Sequence, residues 1–499
     1  MDVPQERLGV EPFSTRFLTP EDLRNVSTFV NDNSDRSISS MLLSPAASRL
    51  AKYVPATLAP NALTLMSLAC VLHACHTTYM YCQATPQTSQ LYATTVSIVM
   101  FTCYHALDLV DGKHAKNIRN DTPLGYMFNQ ACDAIGLTFI VITVCLQLGI
   151  VDGALIWYVV QSGHLVFFWA QLSAYNRGYL SWGLFTGPGE ALFVFNALLG
   201  VRALFGLDWL YSVVALIART LTLEPEPDLA RLVIQSVYYM LLIASTLRVL
   251  TLPKEHRSTR NYLLFCLCYR SIPGLLTGSG INRSVSLQEV ICDGLFMSIV
   301  TTDLVLARIA RREIHDWIFI MAMMSLLDKF LNLFMTVFYY TSIFYDICTF
   351  MNLPMLTPVI NVYIDGVFDL CHLGHKNHIM RALKYGNRLL VGVMADEDVR
   401  KYKRDPIMTL EERCAEVEAL RCVYKVIPGA PCFGLTREFI DEWKIHVVLA
   451  SPEYDKPDDK YYKVPKELGI LKFMPRTDGV STSELIQRIV KREGNGLGL

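Results

Sequence analysis

Between residues 56 and 350 long apolar segments alternate with short polar loops, and nothing else in the chain restricts its fold so strongly. The segments run over 58–82, 92–109, 135–151, 155–174, 192–210, 232–250, 261–275 and 290–307, with one or two more between 317 and 350. That makes roughly eight to ten helices, several near the ~20 residues that cover a bilayer core. Backbone N–H and C=O groups find no water in that core, so each segment must satisfy its own hydrogen bonds as a helix. The expected fold for this part is an α-helical multi-span membrane bundle.

The bundle cannot be the whole protein. The chain has 499 residues, 52% of them hydrophobic and 18% charged, with a mean hydropathy of +0.30. Those values are high for a soluble enzyme and low for a protein made of spans alone, and the length calls for two or three units. The formal net charge of -1 gives no reason to expect nucleic acid as a partner. Fourteen cysteines lie scattered without a CxxC pair, which predicts reduced thiols facing the cytosol and no disulfide framework. The opening MDVPQERLGVEPF has no apolar run of the kind a cleaved signal peptide needs, so the sequon at Asn25 is expected to stay silent. Residues 1–55 read as a polar, irregular N-terminal segment with a short amphipathic run at 44–52 suited to the membrane surface.

After a linker at 351–358, punctuated by Pro354 and Pro358, the pattern changes. Over 359–499 apolar runs at 359–363, 389–394, 423–427 and 446–450 alternate with helical patterns at 377–384, 410–420 and 436–444. Strand–helix alternation predicts a parallel sheet in a Rossmann-like α/β domain. Within it, YIDGVFDLCHLGH at 363–375 reads as a strand, a tight turn and a helix start. Gly374 lets the backbone approach a phosphate, and His372 and His375 can donate to phosphate oxygens as charge builds. A second anion site lies at 476–483, RTDGVSTS, where an arginine meets a hydroxyl-rich cap before a helical run at 484–490. Together the two have room for a triphosphate. A lone histidine there could be a plain helix cap, but two of them with this distal partner favour chemistry. Lys403 sits among Arg400, Lys401 and Arg404, so a solvated basic face competes with a phosphate role. Cys371 and Cys432 read as packing, and Tyr461 and Tyr462 as surface aromatics.

The membrane half holds a polar stretch of its own, LDLVDGKHAKNIRNDTPLGYMFNQACDA at 107–134. On helices, Asp108 with Asp111 and Asn129 with Asp133 each share a face. Carboxylates at membrane depth are costly and default to a functional reading. Clustered, they would hold a hard cation such as Mg²⁺, which in turn would hold a diphosphate.

Two family resemblances follow from these motifs. The stretch from 359 to 490 is similar to the choline-phosphate and ethanolamine-phosphate cytidylyltransferases, through residues 363–375, VGVMADEDV at 391–399, Lys403, MTLEER at 408–413, GAP at 429–431 and RTDGVSTSELIQRI at 476–489. The resemblance implies that CTP and a phospho-alcohol, phosphoethanolamine or phosphocholine, give a CDP-alcohol and pyrophosphate. It implies that His372 and His375 stabilise the pentacoordinate phosphorus and that Lys403 neutralises phosphate charge. Arg476, Thr477, Gly479, Ser481, Thr482 and Ser483 would hold the triphosphate with Gly374, and Gly366, Phe368 and Asp369 would shape the floor beside the alcohol phosphate. Cys432 stands where the choline enzymes commonly carry an aromatic, a slight lean toward phosphoethanolamine; Tyr454, Asp455, Tyr461 and Tyr462 could rebuild an aromatic cage.

The membrane half resembles the CDP-alcohol phosphotransferases, on whose signature Asp108, Asp111, Gly112, Ala115, Gly125 and Asp133 all fall. LAPNALTL at 58–65, GPGE at 187–190 and TTDLVLARIARREIHDW at 301–317 look like the eukaryotic choline/ethanolamine branch. This implies transfer of a phospho-alcohol from a CDP-alcohol to diacylglycerol, with Mg²⁺ (Mn²⁺ as a possible substitute) held by Asp108, Asp111, Asn129 and Asp133 and with Asp133 as the candidate base. Three positions depart from the signature. Lys116 replaces an arginine and loses the bidentate fork for phosphate, Asn129 replaces an aspartate, and Gln130 replaces a histidine. Two readings stay open: consecutive steps of phospholipid synthesis on one chain, or a cytidylyltransferase anchored by a catalytically degenerate membrane half. A third, a transporter-like protein with a regulatory nucleotide-binding domain, is opposed by the intact motifs at 372–375 and 476–483. The family implies a homodimer among membrane lipids of the endoplasmic reticulum or Golgi, with the C-terminal domain in the cytosol.

Overall fold

A computed structural model describes residues 17–30, 34–81, 87–184, 187–220, 227–278, 285–328, 330–401, 403–456, 458–477 and 480–494. The chain divides into two compact units, Met1–Thr357 and Pro358–Leu499.

Among the described residues the regular structure of the first unit is helical apart from a two-residue parallel pairing of Ser34–Asp35 with Ser181–Trp182. Its helices are α1 (Pro20–Ser27), α2 (Ile38–Leu50), α3 (Pro60–Tyr81), α4 (Gln87–Asn117), α5 (Pro123–Gln147), α6 (Gly153–Arg177) and α7 (Pro188–Phe205). They continue as α8 (Leu207–Thr220), α9 (Pro227–Leu250), α10 (Arg257–Gly278), α11 (Leu287–Ala310), α12 (Trp317–Leu327) and α13 (Leu331–Met351). Among the described residues seven of these are long and apolar enough to cross a membrane, fewer than the sequence suggested. The segments at 58–82 and 261–275 do form 22-residue helices, but polar residues such as Asn61, His73 and His76 in α3 and Arg260 in α10 hold their hydropathy down. The apolar stretch after 317 splits into an 11-residue helix, too short to span, and α13.

α11 is the axis of the unit. From Cys292 to Ala310 every residue is buried, and α5, α6 and α13 pack around it. The outer surface is apolar, with Leu72, Val99, Val194, Met240, Leu247 and Phe334 among the exposed side chains, as a lipid-facing surface requires. The N-terminal segment is not irregular as expected. A capping box, Thr19 with Asp22, and Pro20 in the first turn start α1, and Phe17, Leu18 and Val26 are buried. Asn25 donates its side-chain amide to the Ala310 carbonyl at 2.9 Å. The amphipathic run at 44–52 belongs to the longer α2, which exposes Met41, Leu42 and Leu50.

The second unit is built on five parallel strands, β1 (Asn361–Gly366), β2 (Arg388–Met394), β3 (Lys425–Ala430), β4 (Val447–Ala450) and β5 (Leu471–Phe473), in the order β3-β2-β1-β4-β5. The connecting helices are α14 (Leu373–Ala382), α15 (Asp396–Arg400), α16 (Leu410–Glu418), α17 (Arg437–Glu442), α18 (Lys463–Glu467) and α19 (Thr482–Gly494). β1 and β2 are apolar on both faces because clusters cover both: Val362, Ile364, Leu389 and Val391 with Ile379 and Val417, and Tyr363 and Leu390 with Ile440 and Ile445. β5 went unrecognised in the sequence; three residues are too few to register a period.

Candidate active sites

β1 hands the chain on to β2 on one side, and β4 hands it on to β5 on the other. This reversal opens a crevice at the carboxyl ends of β1 and β4. A cleft of about 550 Å³ lies there, and every described residue named for the nucleotide site lines it. Gly366 and Phe368 come from the end of β1, His372, Gly374 and His375 from the start of α14, Lys403 from the loop after α15, and Arg476, Thr477, Ser481, Thr482 and Ser483 from the start of α19 and the loop before it. Gly479 lies outside the described residues.

Both histidines belong to the helix itself, which begins at Leu373 and not at 377. His372 is its cap: the ring Nδ1 accepts the Gly374 N–H at 3.1 Å. The His375 ring stacks on it with centroids 3.9 Å apart, and Phe368 meets His375 edge-on at 5.4 Å. A Cβ on Gly374 would stand 3.0 Å from the His372 ring and 3.1 Å from the Val480 carbonyl, so any side chain there would displace one or the other. His372 Nε2 lies 3.3 Å from Thr482 Oγ1, which brings the N-termini of α14 and α19 together. Ser481 and Glu484 cap α19 reciprocally at 3.0 and 3.2 Å. Two positive helix ends therefore face one cleft.

The cleft is rich in cations. Burial holds Lys403 below the ordinary lysine range, and the Arg476 and Arg404 guanidiniums add to the effect. Burial, and then the charges of His372, His378 and Lys403, push His375 down to about 3. His372 is also lowered, by burial. Mutual repulsion of this kind is relieved by an anion. Among the described residues that line the cleft, two buried groups await a hydrogen bond: His375 Nδ1 and Thr477 Oγ1. Arg476 pairs with Glu453 at 3.0 Å, both side chains more than half exposed.

Asp369 lines the cleft and also fixes the turn beneath it. Its carboxylate accepts the Ile407 and Met408 N–H groups at 3.1 Å each and lies 3.9 Å from Arg404. Phe368 and Leu370 on either side hold φ at 54° and 56°, so Asp369 fixes a strained turn against the loop before α16. Tyr462 is also reassigned. It is 6% exposed, its hydroxyl donates to Asp365 at 2.6 Å, and its ring meets Tyr454 at 5.2 Å. Burial raises Asp365 to about 6 even so.

Sequence reasoning missed Arg413. This fully buried guanidinium donates to the Val367 carbonyl at 2.6 Å, the Met394 carbonyl at 2.9 Å and the Met408 carbonyl at 3.3 Å, and it pairs with Asp396. It thereby ties the ends of β1 and β2 to the loop that carries Met408. Its signal was available: the Thr409–Glu412 capping box starts α16, and Arg413 falls four residues before buried Val417 on the inner face.

In the membrane unit the four predicted metal residues divide. Asn129 donates its amide to Asp108 at 2.7 Å and to Asp111 at 3.3 Å, and Thr64 donates to Asp111. Asp133 accepts instead from the Tyr104 hydroxyl at 2.8 Å. Gln130 is held by Gln171 at 2.8 Å. Among the described residues no three His, Cys, Asp or Glu side chains gather closely enough to hold a metal ion. Asn129 thus bridges the Asp108 and Asp111 carboxylates while Asp133 turns to Tyr104, so two clustered carboxylates and one amide face each other here. His105, one turn before Asp108, was also overlooked. Its ring packs edge-on against Phe193 at 5.5 Å, and a Cβ on Gly189 would come within 2.9 Å of its Nε2.

Comparison with known proteins agrees with the division into two units. The family described as Cytidylyltransferase-like matches residues 363–488, and the family described as CDP-alcohol phosphatidyltransferase matches residues 57–180. An ethanolamine-phosphate cytidylyltransferase of Dictyostelium discoideum is 39% identical over 26% of this chain and 37% of its own length. A choline-phosphate cytidylyltransferase of Saccharomyces cerevisiae is 39% identical over 28% of this chain and 34% of its own length. Choline-phosphate cytidylyltransferase 2 of Arabidopsis thaliana is 40% identical over 26% and 45%. The chain thus spans less than half the length of these curated relatives. One polypeptide here joins a segment that matches the CDP-alcohol phosphatidyltransferase family, within a bundle of apolar helices, to an α/β domain that matches the Cytidylyltransferase-like family.

Proposed function

We propose that this protein carries out two consecutive steps of phospholipid synthesis by the CDP-alcohol route. The α/β unit transfers the cytidylyl group of CTP to phosphoethanolamine or phosphocholine, and the membrane unit passes the phospho-alcohol of the product to diacylglycerol. The observation that carries the first step is the meeting of two helix N-termini, two stacked imidazoles and the cations Lys403 and Arg476 around one cleft. A phosphate oxygen of the alcohol attacks the α-phosphorus of CTP, and the bond to the outer phosphates breaks. No covalent intermediate is needed. His372 and His375 donate to the oxygens that gain charge, and Lys403, Arg476 and Thr477 hold the rest in place. Mg²⁺, or Mn²⁺ in its stead, arrives with CTP as part of the substrate.

Joining the two steps on one chain raises the local concentration of the CDP-alcohol for the second. The protein works as a homodimer in endoplasmic reticulum or Golgi membranes, with the α/β unit on the cytosolic side where CTP is found.

Membranes given labelled CTP, each phospho-alcohol and diacylglycerol test the reading. CDP-alcohol and labelled lipid are both expected; CDP-alcohol without lipid would reduce the membrane unit to an anchor, and neither product would end the proposal. Asp108→Ala should abolish lipid formation while CDP-alcohol still accumulates. Asn129→Asp should raise lipid formation by restoring a third carboxylate; no gain would mean that Asn129 is not what limits transfer.

CTP binding should also take up protons. His375 stays neutral down to about pH 3 in the free cleft. A bound polyanion favours the charged imidazoles and raises their pKa, so uptake is expected at pH 6 and should vanish above pH 8. Calorimetry in buffers of different ionisation enthalpy measures it, and an enthalpy independent of buffer at pH 6 would contradict the arrangement.

A further inference from the structure

Cytidylyl transfer as described leaves a third imidazole in the cleft unassigned. His378 follows His375 by three residues on α14, shares its helix face and lines the same cleft. Among the described residues no hydrogen bond or ring contact engages its imidazole. Nothing structural accounts for a half-buried histidine there.

Its position differs from that of the stacked pair. His372 caps the helix and His375 stacks on that cap. A helix rises 1.5 Å per residue, so His378 lies about 4.5 Å further along the axis than His375. Its charged neighbours are Arg476 on the segment before α19 and Arg381 one turn on; after burial, these hold His378 below its ordinary value. A ligand with one phosphate at His372 and His375 has its next phosphates within reach of His378 and Arg476. A single phosphate does not.

We propose that His378 and Arg476 form a receptor for the two outer phosphates of the nucleotide, the part that departs as pyrophosphate. His372 and His375 serve the phosphorus at which the bond to the alcohol phosphate forms and the bond to the outer phosphates breaks. His378 is then a binding residue for the leaving group. The assignment rests on the CTP-dependent reading of the cleft.

The test uses the full chain in membranes and two product-like inhibitors competed against CTP. Pyrophosphate carries the outer phosphates and CMP lacks them. His378→Ala should weaken inhibition by pyrophosphate about tenfold, the effect of one lost hydrogen bond to a charged group. It should raise the KM for CTP by a similar factor and leave inhibition by CMP as in the wild type. His378→Gln, which keeps an N–H donor, should recover most of the loss. Equal weakening by pyrophosphate and CMP would overturn the assignment, since it would mean a deformed cleft, and so would no change with either. A wild-type chain that forms no CDP-alcohol would instead bring down the underlying reading.

Discussion

His375→Ala is expected to lower the rate of CDP-alcohol formation by about a thousandfold, at the upper end of what one positioned donor contributes to a charged transition state. The size follows from the state of the side chain. It is held by two rings, His372 stacked at 3.9 Å and Phe368 edge-on at 5.4 Å. Its Nδ1 is buried with no hydrogen-bond partner among the described residues. A donor that is already oriented and desolvated costs nothing to reorganise when charge develops beside it. In the alanine variant water fills the space and must reorient at each turnover. The fold should survive, because no hydrogen bond of the sheet depends on the ring. Steady-state rates with saturating CTP, beside hydrogen exchange across β1 and α14, separate the two effects. A loss of less than tenfold with normal exchange protection would remove His375 from the chemistry.

The second large effect is on stability. Arg413→Met should destabilise the α/β unit by about 3–5 kcal/mol, the usual cost of breaking a buried charged network from one side. Methionine replaces much of the volume and none of the donors. The Val367, Met394 and Met408 carbonyls and the Asp396 carboxylate all lose a partner, some of them out of reach of water. Because the same guanidinium draws the β1 end to the Met408 loop, the Asp369 turn should loosen with it. Hydrogen exchange is the direct measurement: protection should fall first at Ile407 and Met408, whose N–H groups Asp369 accepts. Unchanged protection there, with unchanged thermal inactivation, would show that the buried arginine is dispensable.

These two residues mark where the sequence was legible and where it was not. His375 sits in a motif whose glycine, imidazoles and distal arginine all point to phosphate, so its placement could be read from residue types alone. For Arg413 the helix pattern offered only a place on the inner face of α16; its importance lies in four acceptors scattered over residues 367 to 408, which only the fold brings together. The same distinction holds for Asp369, where residue type suggested a ligand contact and tertiary hydrogen bonds add a structural one. The start of α14 was placed four residues late because His372 caps through its ring nitrogen, which no Ser, Thr, Asp or Asn pattern announces. In the membrane unit, hydropathy located the helices that meet lipid and could not rank them. α1 escaped notice because it is a short polar helix held by Phe17 and Leu18, which lie just before it.

The burial of α11 has a consequence for how the protein is made. A helix enclosed on every side has no stable resting place in lipid by itself, least of all one carrying Asp293 and Asp303 in its interior. Asp303 is satisfied by Arg312 at 2.9 Å, by the His315 N–H at 2.9 Å and by the Tyr339 hydroxyl at 2.9 Å. All three come later in the chain, the last of them from α13. During synthesis Arg312 follows α11 at once, but the Tyr339 donor and the helix that carries it come last, so α11 must be sheltered by the insertion machinery until α13 arrives. Translation that stops between the two helices leaves Asp303 paired with Arg312 but without its Tyr339 donor, and α11 without one of the helices that enclose it, the kind of intermediate that quality control removes.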